Sequence, residues 1–147
     1  MAAVAEIPSS TELATRLRRT TVRLSRRLRR HAASGLSPSL ESALGLIGRH
    51  GPLTPSELAR SEDVKRPTAT RLIAILERRG LVERAADPCD RRSHRVAVTE
   101  QGRALLAESR SRRNAYLGRA LSALEPDELA VLDRALQLLE RLVAEAR

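Results

Sequence analysis

The chain contains no phenylalanine and no tryptophan, and Tyr116 is its only aromatic residue. A core must therefore be packed from Leu, Ala, Val and Ile. Such side chains interlock well between helices, whereas sheet sandwiches draw on aromatic and β-branched surfaces. A mainly α-helical fold is expected, and 147 residues suffice for one domain around one core.

Helix starts can be placed from local chemistry. Ser9 with Glu12 three residues on forms a capping-box signature, followed by Leu13, Leu17, Thr21, Leu24 and Leu28 at helical spacing. Arg16, Arg19, Arg23, Arg26 and Arg30 form a second stripe along the same segment. An arginine-rich start can be a transit peptide, but the pattern continues without a small-residue cleavage site and reads as a permanent helix. Ser37-Pro38 opens a second helix, with Leu40, Leu44 and Ile47 inward and His50-Gly51-Pro52 as its stop. Thr54, Pro55 and Glu57 cap a third helix of about two turns, interrupted at Arg60-Ser61-Glu62-Asp63. A fourth begins near Pro67, carries Leu72, Ile75 and Leu76 inward and ends at Gly80.

A short capped helix, a polar turn and a longer helix make a helix-turn-helix, whose second helix enters a DNA major groove. Lys65, Arg66, Thr68, Thr70 and Arg71 fall at the start of that helix, where they can reach phosphates and base edges. The balance of charge points the same way. The formal charge is +9, and Lys65 is the one lysine among 27 basic residues, the rest being arginines with forks suited to phosphate and guanine. Residues 81–84 and 94–98 then read as two strands joined by a loop over 85–93, which adds a wing.

That loop holds Pro88, Cys89, Asp90, Arg91 and Arg92, with Arg95 on the returning strand. The run RLIAILERRGLVERAADPCDRRSHRVAVTEQG resembles the signature of MarR-type winged-helix transcription regulators: a recognition helix ending in Arg-Gly, a D-x-R wing and a capped start to the next helix. Here the D-x-R is Asp90-Arg91-Arg92, and Val98-Thr99 stands where the family has Leu-Thr. The resemblance implies that Arg92 enters a minor groove and that Asp90 holds the shape of the wing. A narrow minor groove concentrates negative potential, so an arginine there reads groove width more than base identity.

Thr99 caps a long fifth helix, with Leu105, Leu106, Leu117, Leu121 and Leu124 on its apolar side and an end near Leu124-Glu125. Pro126, Asp127 and Glu128 open the sixth, in which Leu129, Leu132, Leu136, Leu139 and Val143 make a seam. With Val131, Leu138 and Leu142 also apolar, one seam leaves a surplus. A homodimer that interlocks the terminal helices, Leu13 and Leu17 included, would cover it, and the resemblance implies the same; an intramolecular bundle is the alternative. The expected organisation is a dimerisation region over 9–33 and 99–147 and a winged helix-turn-helix over 37–98.

The function expected is sequence-specific binding of double-stranded DNA at a pseudo-palindromic operator, as a repressor. The resemblance further implies a small organic anion in a crevice between the two regions, with Leu17, Thr20, Arg23, Leu24, Leu44 and Tyr116 as candidate walls. Two other readings stay open: a binder of nucleic acid without sequence preference, and a redox sensor acting through Cys89. Cys89 lies between carboxylates that raise a thiol pKa and arginines that lower it, so its reactivity is not decided by its neighbours. Cys89 and His94 lack a second ligand pair for zinc, and His31 and His50 belong to other helices, so neither a metal, a cofactor nor an enzyme is expected. One cysteine and no long apolar run suggest a cytoplasmic, nucleoid-associated protein rather than a membrane one.

Overall fold

A computed structural model describes residues 8–86 and 94–145. The order is α1 (Ser10–Ala32), α2 (Pro38–His50), α3 (Pro55–Ser61), α4 (Arg66–Arg78), β1 (Val82–Ala86), β2 (His94–Val98), α5 (Glu100–Leu121) and α6 (Pro126–Glu145). None of these helices is long and apolar enough to cross a membrane.

The capping signals act as their chemistry requires. Ser9 Oγ accepts from the Glu12 amide at 3.3 Å while the Glu12 carboxylate accepts from the Ser9 amide at 2.9 Å. Thr54 and Glu57 repeat the reciprocal pair at the head of α3, at 3.2 and 2.7 Å. At α2 the expected cap residue Ser37 is in place with Pro38 behind it, but its hydroxyl makes no capping bond.

Hydrogen bonds from the Thr54 backbone, then from its hydroxyl, hold the Glu57 carboxyl below its ordinary value near 4.5; burial opposes them, and Arg95 and Arg60 add to the lowering. A lowered folded pKa stabilises above the unfolded value, and that stabilisation is lost as pH falls through the folded one. The stability gap between the native chain and Glu57→Ala is therefore expected to be widest near neutrality and to close in strong acid. Urea unfolding at both conditions measures it, with a gap near neutrality of about 1 kcal/mol, as for loss of a cap.

The core gathers residues of α2, α3, α4 and both strands, with Leu44, Leu58, Ile73, Leu76 and Val96 fully enclosed. Ile73, rather than the expected Ile75, is the deeply buried isoleucine of α4; Ile75 packs partly buried at its edge. Ala69 is buried as well, and α4 packs against both α2 and α3. The end of α4 is a Schellman turn: the Leu81 amide donates to the Leu76 carbonyl at 3.0 Å, and Gly80 takes a φ of +70°.

The hairpin is antiparallel, with Val82 opposite Val98 and Arg84 opposite Val96. The first strand begins one residue later than expected and runs on to Ala86, because Leu81 is used in the turn. A bridge not anticipated from sequence joins Leu53 to Val96, with amide-to-carbonyl distances of 3.0 and 2.8 Å. It ties the entrance of α3 to the returning strand. The fifth helix ends at Leu121, three residues short of the expected end.

The joint between β2 and α5 is tight. Thr99 Oγ1 accepts from the Gly102 amide at 3.1 Å and donates to the Gly80 carbonyl at 2.6 Å, while the Thr99 amide donates to the Leu81 carbonyl at 3.1 Å. Buried Gly102 lies directly against Leu81 and Val98. By contrast, α6 has no buried residue, and it packs closely against none of the other elements.

Candidate nucleic-acid interface

The fourth helix sorts its residues by side. Ala69, Leu72, Ile73 and Leu76 sink into the core, while Lys65, Arg66, Thr68, Thr70 and Arg71 are all exposed around its first two turns. It is also the one described helix whose first turn carries no acid, since Glu12, Glu41, Glu57, Glu100 and the pair Asp127 and Glu128 head the others. A helix N-terminus presents partial positive charge and unpaired amides, which an acid in the first turn would neutralise. Left open, and with Lys65 and Arg66 beside it, this end suits a phosphate. Thr70 Oγ1 donates to the Arg66 carbonyl at 3.0 Å, so its methyl and its oxygen lone pairs are what it can offer outward.

The turn ahead of this helix is braced. Ser42 Oγ donates to Glu62 at 2.7 Å and the Val64 amide to the Ala59 carbonyl at 2.9 Å, while Asp63 takes a φ of +52°. The hairpin is braced too. Arg84 Nε meets Glu77 of α4 at 3.0 Å, and Arg95 Nη1 donates to the Pro52 carbonyl at 3.1 Å with Glu57 3.8 Å away. Arg95, grouped by sequence with the DNA contacts, thus has its guanidinium on the entrance to α3. Cys89, Asp90, Arg91 and Arg92 lie outside the described residues.

A crevice of about 520 Å³ opens between α1, α2 and α5, with Leu28, Arg29, Arg49, Arg110, Arg113 and Leu117 in its walls. The residues expected to form an effector site do not line it. Leu17, Thr20, Arg23 and Leu24 are exposed farther along α1, and Leu44 is fully buried behind the crevice in the core. Tyr116 is stacked on His31, with ring centroids 4.0 Å apart and planes 17° from parallel. The break after α1 places Ala33 and Gly35 at positive φ.

One cluster at this crevice was invisible to sequence reasoning. Ser109, the buried polar residue of α5, donates to Glu41 of α2 at 3.2 Å and accepts from Arg113 at 2.7 Å, and Arg113 lies 3.1 Å from Glu41. The Glu41 side chain is 11% exposed, so the charge-assisted bonds form in partly dehydrated surroundings and fasten α2 to α5.

The geometry is that of a braced helix-turn-helix with a hairpin beside it, and comparison with known proteins agrees. The sequence model of the MarR family matches residues 36–94. An uncharacterised HTH-type transcriptional regulator of Mycobacterium bovis is 38% identical over 141 residues, which is 95% of this chain and 99% of that protein. A Pseudomonas aeruginosa crystal structure is similar at a TM-score of 0.81 and 38% identity, covering 94% of this chain and 99% of that one. A MarR family protein from Bacillus stearothermophilus follows at a TM-score of 0.80 and 27% identity, with 91% and 94% covered. With its exposed recognition helix, its hairpin and relatives that align along nearly its full length, the chain belongs to the MarR family of DNA-binding helix-turn-helix transcriptional regulators.

Proposed function

We propose that this regulator is a homodimeric repressor that binds a pseudo-palindromic operator, residues 37–98 contacting DNA and residues 9–33 and 99–147 joining the two chains. The observation that carries the reading is the polar, acid-free start of α4, where Lys65, Arg66, Thr68, Thr70 and Arg71 stand exposed on a helix anchored by its other face. Arg66 and Arg71 supply phosphate or guanine contacts, Thr68 and Thr70 base-edge contacts, and Asp90, Arg91 and Arg92 the wing. Arg95, whose guanidinium also reaches the Pro52 carbonyl, adds a contact from the returning strand.

Dimerisation is supported by apolar surface that has no cover among the described residues. Leu129 at 40% exposure, Leu136 at 49% and Val143 at 71% stand open on α6, as does Leu13 at 54% on α1. Leu132 and the half-buried Leu139 continue the α6 row, and Leu17 that of α1. Two copies then address half-sites about one helical turn apart, roughly 34–36 Å. An anionic effector of this regulator would enter the arginine-walled crevice and act only if it favours one setting of α2 against α5. Work at the nucleoid of a bacterial or archaeal cytoplasm follows from the same reading.

Selection of bound duplexes from random DNA tests it, the expected product being an inverted repeat; sequences without a repeat would favour a non-specific binder. Arg71→Ala is expected to cost about 1–3 kcal/mol of operator affinity and to relax preference at one position of each half-site. Arg92→Ala is expected to weaken binding and lower the salt slope with the dimer intact, as read by fluorescence anisotropy. Unchanged binding by the Arg92 variant would remove the wing from the interface.

A further inference from the structure

The chain's positive charge is not spread evenly. Eight arginines of α1 face a single carboxylate, Glu12, so this helix alone carries a formal +7 of the chain's +9. Elsewhere Arg84, Arg103, Arg112 and Arg113 are each paired with a glutamate. Among the described residues none of the α1 arginines is paired with a carboxylate, and all are exposed.

Arg16, Arg19, Arg23, Arg26 and Arg30 recur at spacings of three and four and so share one face. Leu13, Leu17, Leu24 and Leu28 form a separate stripe, and the helix packs along α5. Like charges at such spacings destabilise a helix, and the one acid on this face, Glu12, is engaged by Ser9.

We propose that the arginine face of α1 is a second phosphate-binding surface, which lies along the backbone of double-stranded DNA outside the grooves addressed by α4 and the wing. The five side chains extend over about 21 Å of helix, a length over which a duplex carries about 12 phosphate charges. Arginine forks match phosphate oxygens. A single strand would ask for aromatic platforms, and α1 has none. A bilayer would ask for an apolar face left free for the lipid, whereas α1 packs along α5 and its Leu13 and Leu17 belong to the proposed seam between copies. The inference rests on the reading of the protein as a DNA binder, whose long duplex supplies the phosphates for a second surface.

The test uses the full chain with all five arginines of the row changed to glutamine, a residue of similar helix propensity, and a second variant with all five changed to lysine. Binding is followed by anisotropy over a range of salt, on a selected operator duplex with long flanks and on a random duplex of equal length. The glutamine variant is expected to lose about 0.9 of salt slope for each phosphate contact removed, up to about 4.5 per protomer, on both duplexes, and to keep its preference for the operator. The lysine variant is expected to keep the slope. Equal slopes for the native and glutamine chains would overturn the proposal. So would a lysine variant that fails as the glutamine one does, since the effect would then be packing. A native chain with a steep slope but no operator preference would instead sink the sequence-specific reading and leave this one standing.

Discussion

Aspartates in place of Leu132 and Leu136 are expected to yield a monomer that binds operator at least about 100-fold more weakly than the native chain. Both leucines are exposed on α6, at 36% and 49%, and the helix contributes nothing to the chain's own core. Their replacement therefore leaves the winged-helix core untouched. What it removes is the proposed apolar seam between copies, since two carboxylates would have to be desolvated to rebuild it. Without the seam each winged helix binds alone, and the intramolecular advantage of the second half-site disappears. Sedimentation and operator titration measure both effects together. A variant that remains dimeric would show that the copies meet through another surface, and a monomer of full affinity would show that one winged helix is sufficient.

Gly102→Ala is the most damaging small substitution expected inside the fold. An added Cβ would stand 2.6 Å from Val98 Cγ1 and closer still to the Leu81 carbonyl oxygen. That carbonyl cannot give way, because it also receives the Thr99 amide at 3.1 Å, so α5 must lift from the end of α4. Overpacking of this kind costs about 3 kcal/mol, or a fall in Tm of roughly 6–12 °C for a domain of this size. The expected change in DNA binding exceeds what the stability loss explains, since the relation between α4 and α5 is altered as well. An alanine chain that melts with the native one would mean that the joint is looser than its contacts indicate. Thr99→Ala, which removes a cap without adding bulk, is expected to cost less, about 1 kcal/mol.

The elements that could be read from sequence are those whose signals are local. Ser9 with Glu12, Thr54 with Glu57, Thr99, and Pro126 with its acids each mark a helix start within four residues, and each start lies where expected. The exposed row from Lys65 to Arg71 follows from the start of α4 alone. Features set by distant parts of the chain were not legible. Which isoleucine of α4 is buried depends on where α2 lies beneath it. The Leu53–Val96 bridge is too short to leave a periodic trace. Glu41 and Ser109 are 68 positions apart, and nothing at either position announces the other. The 520 Å³ crevice between α1, α2 and α5 is likewise assembled from distant segments, and no local pattern marks its walls. The wing is a different case: the roles of Asp90 and Arg92 came from resemblance rather than from any periodicity.

The bare sixth helix has a consequence for how long such a protein survives. A helix with no buried residue draws little stability from its own chain, and in the proposed dimer its order is supplied by the other copy. A solitary chain would thus present an unsupported terminal segment to proteases, and a paired one would not. Degradation would run fastest when copies are scarce and slow down as they accumulate, so that the stock of regulator would hold to a threshold set by the affinity of the seam.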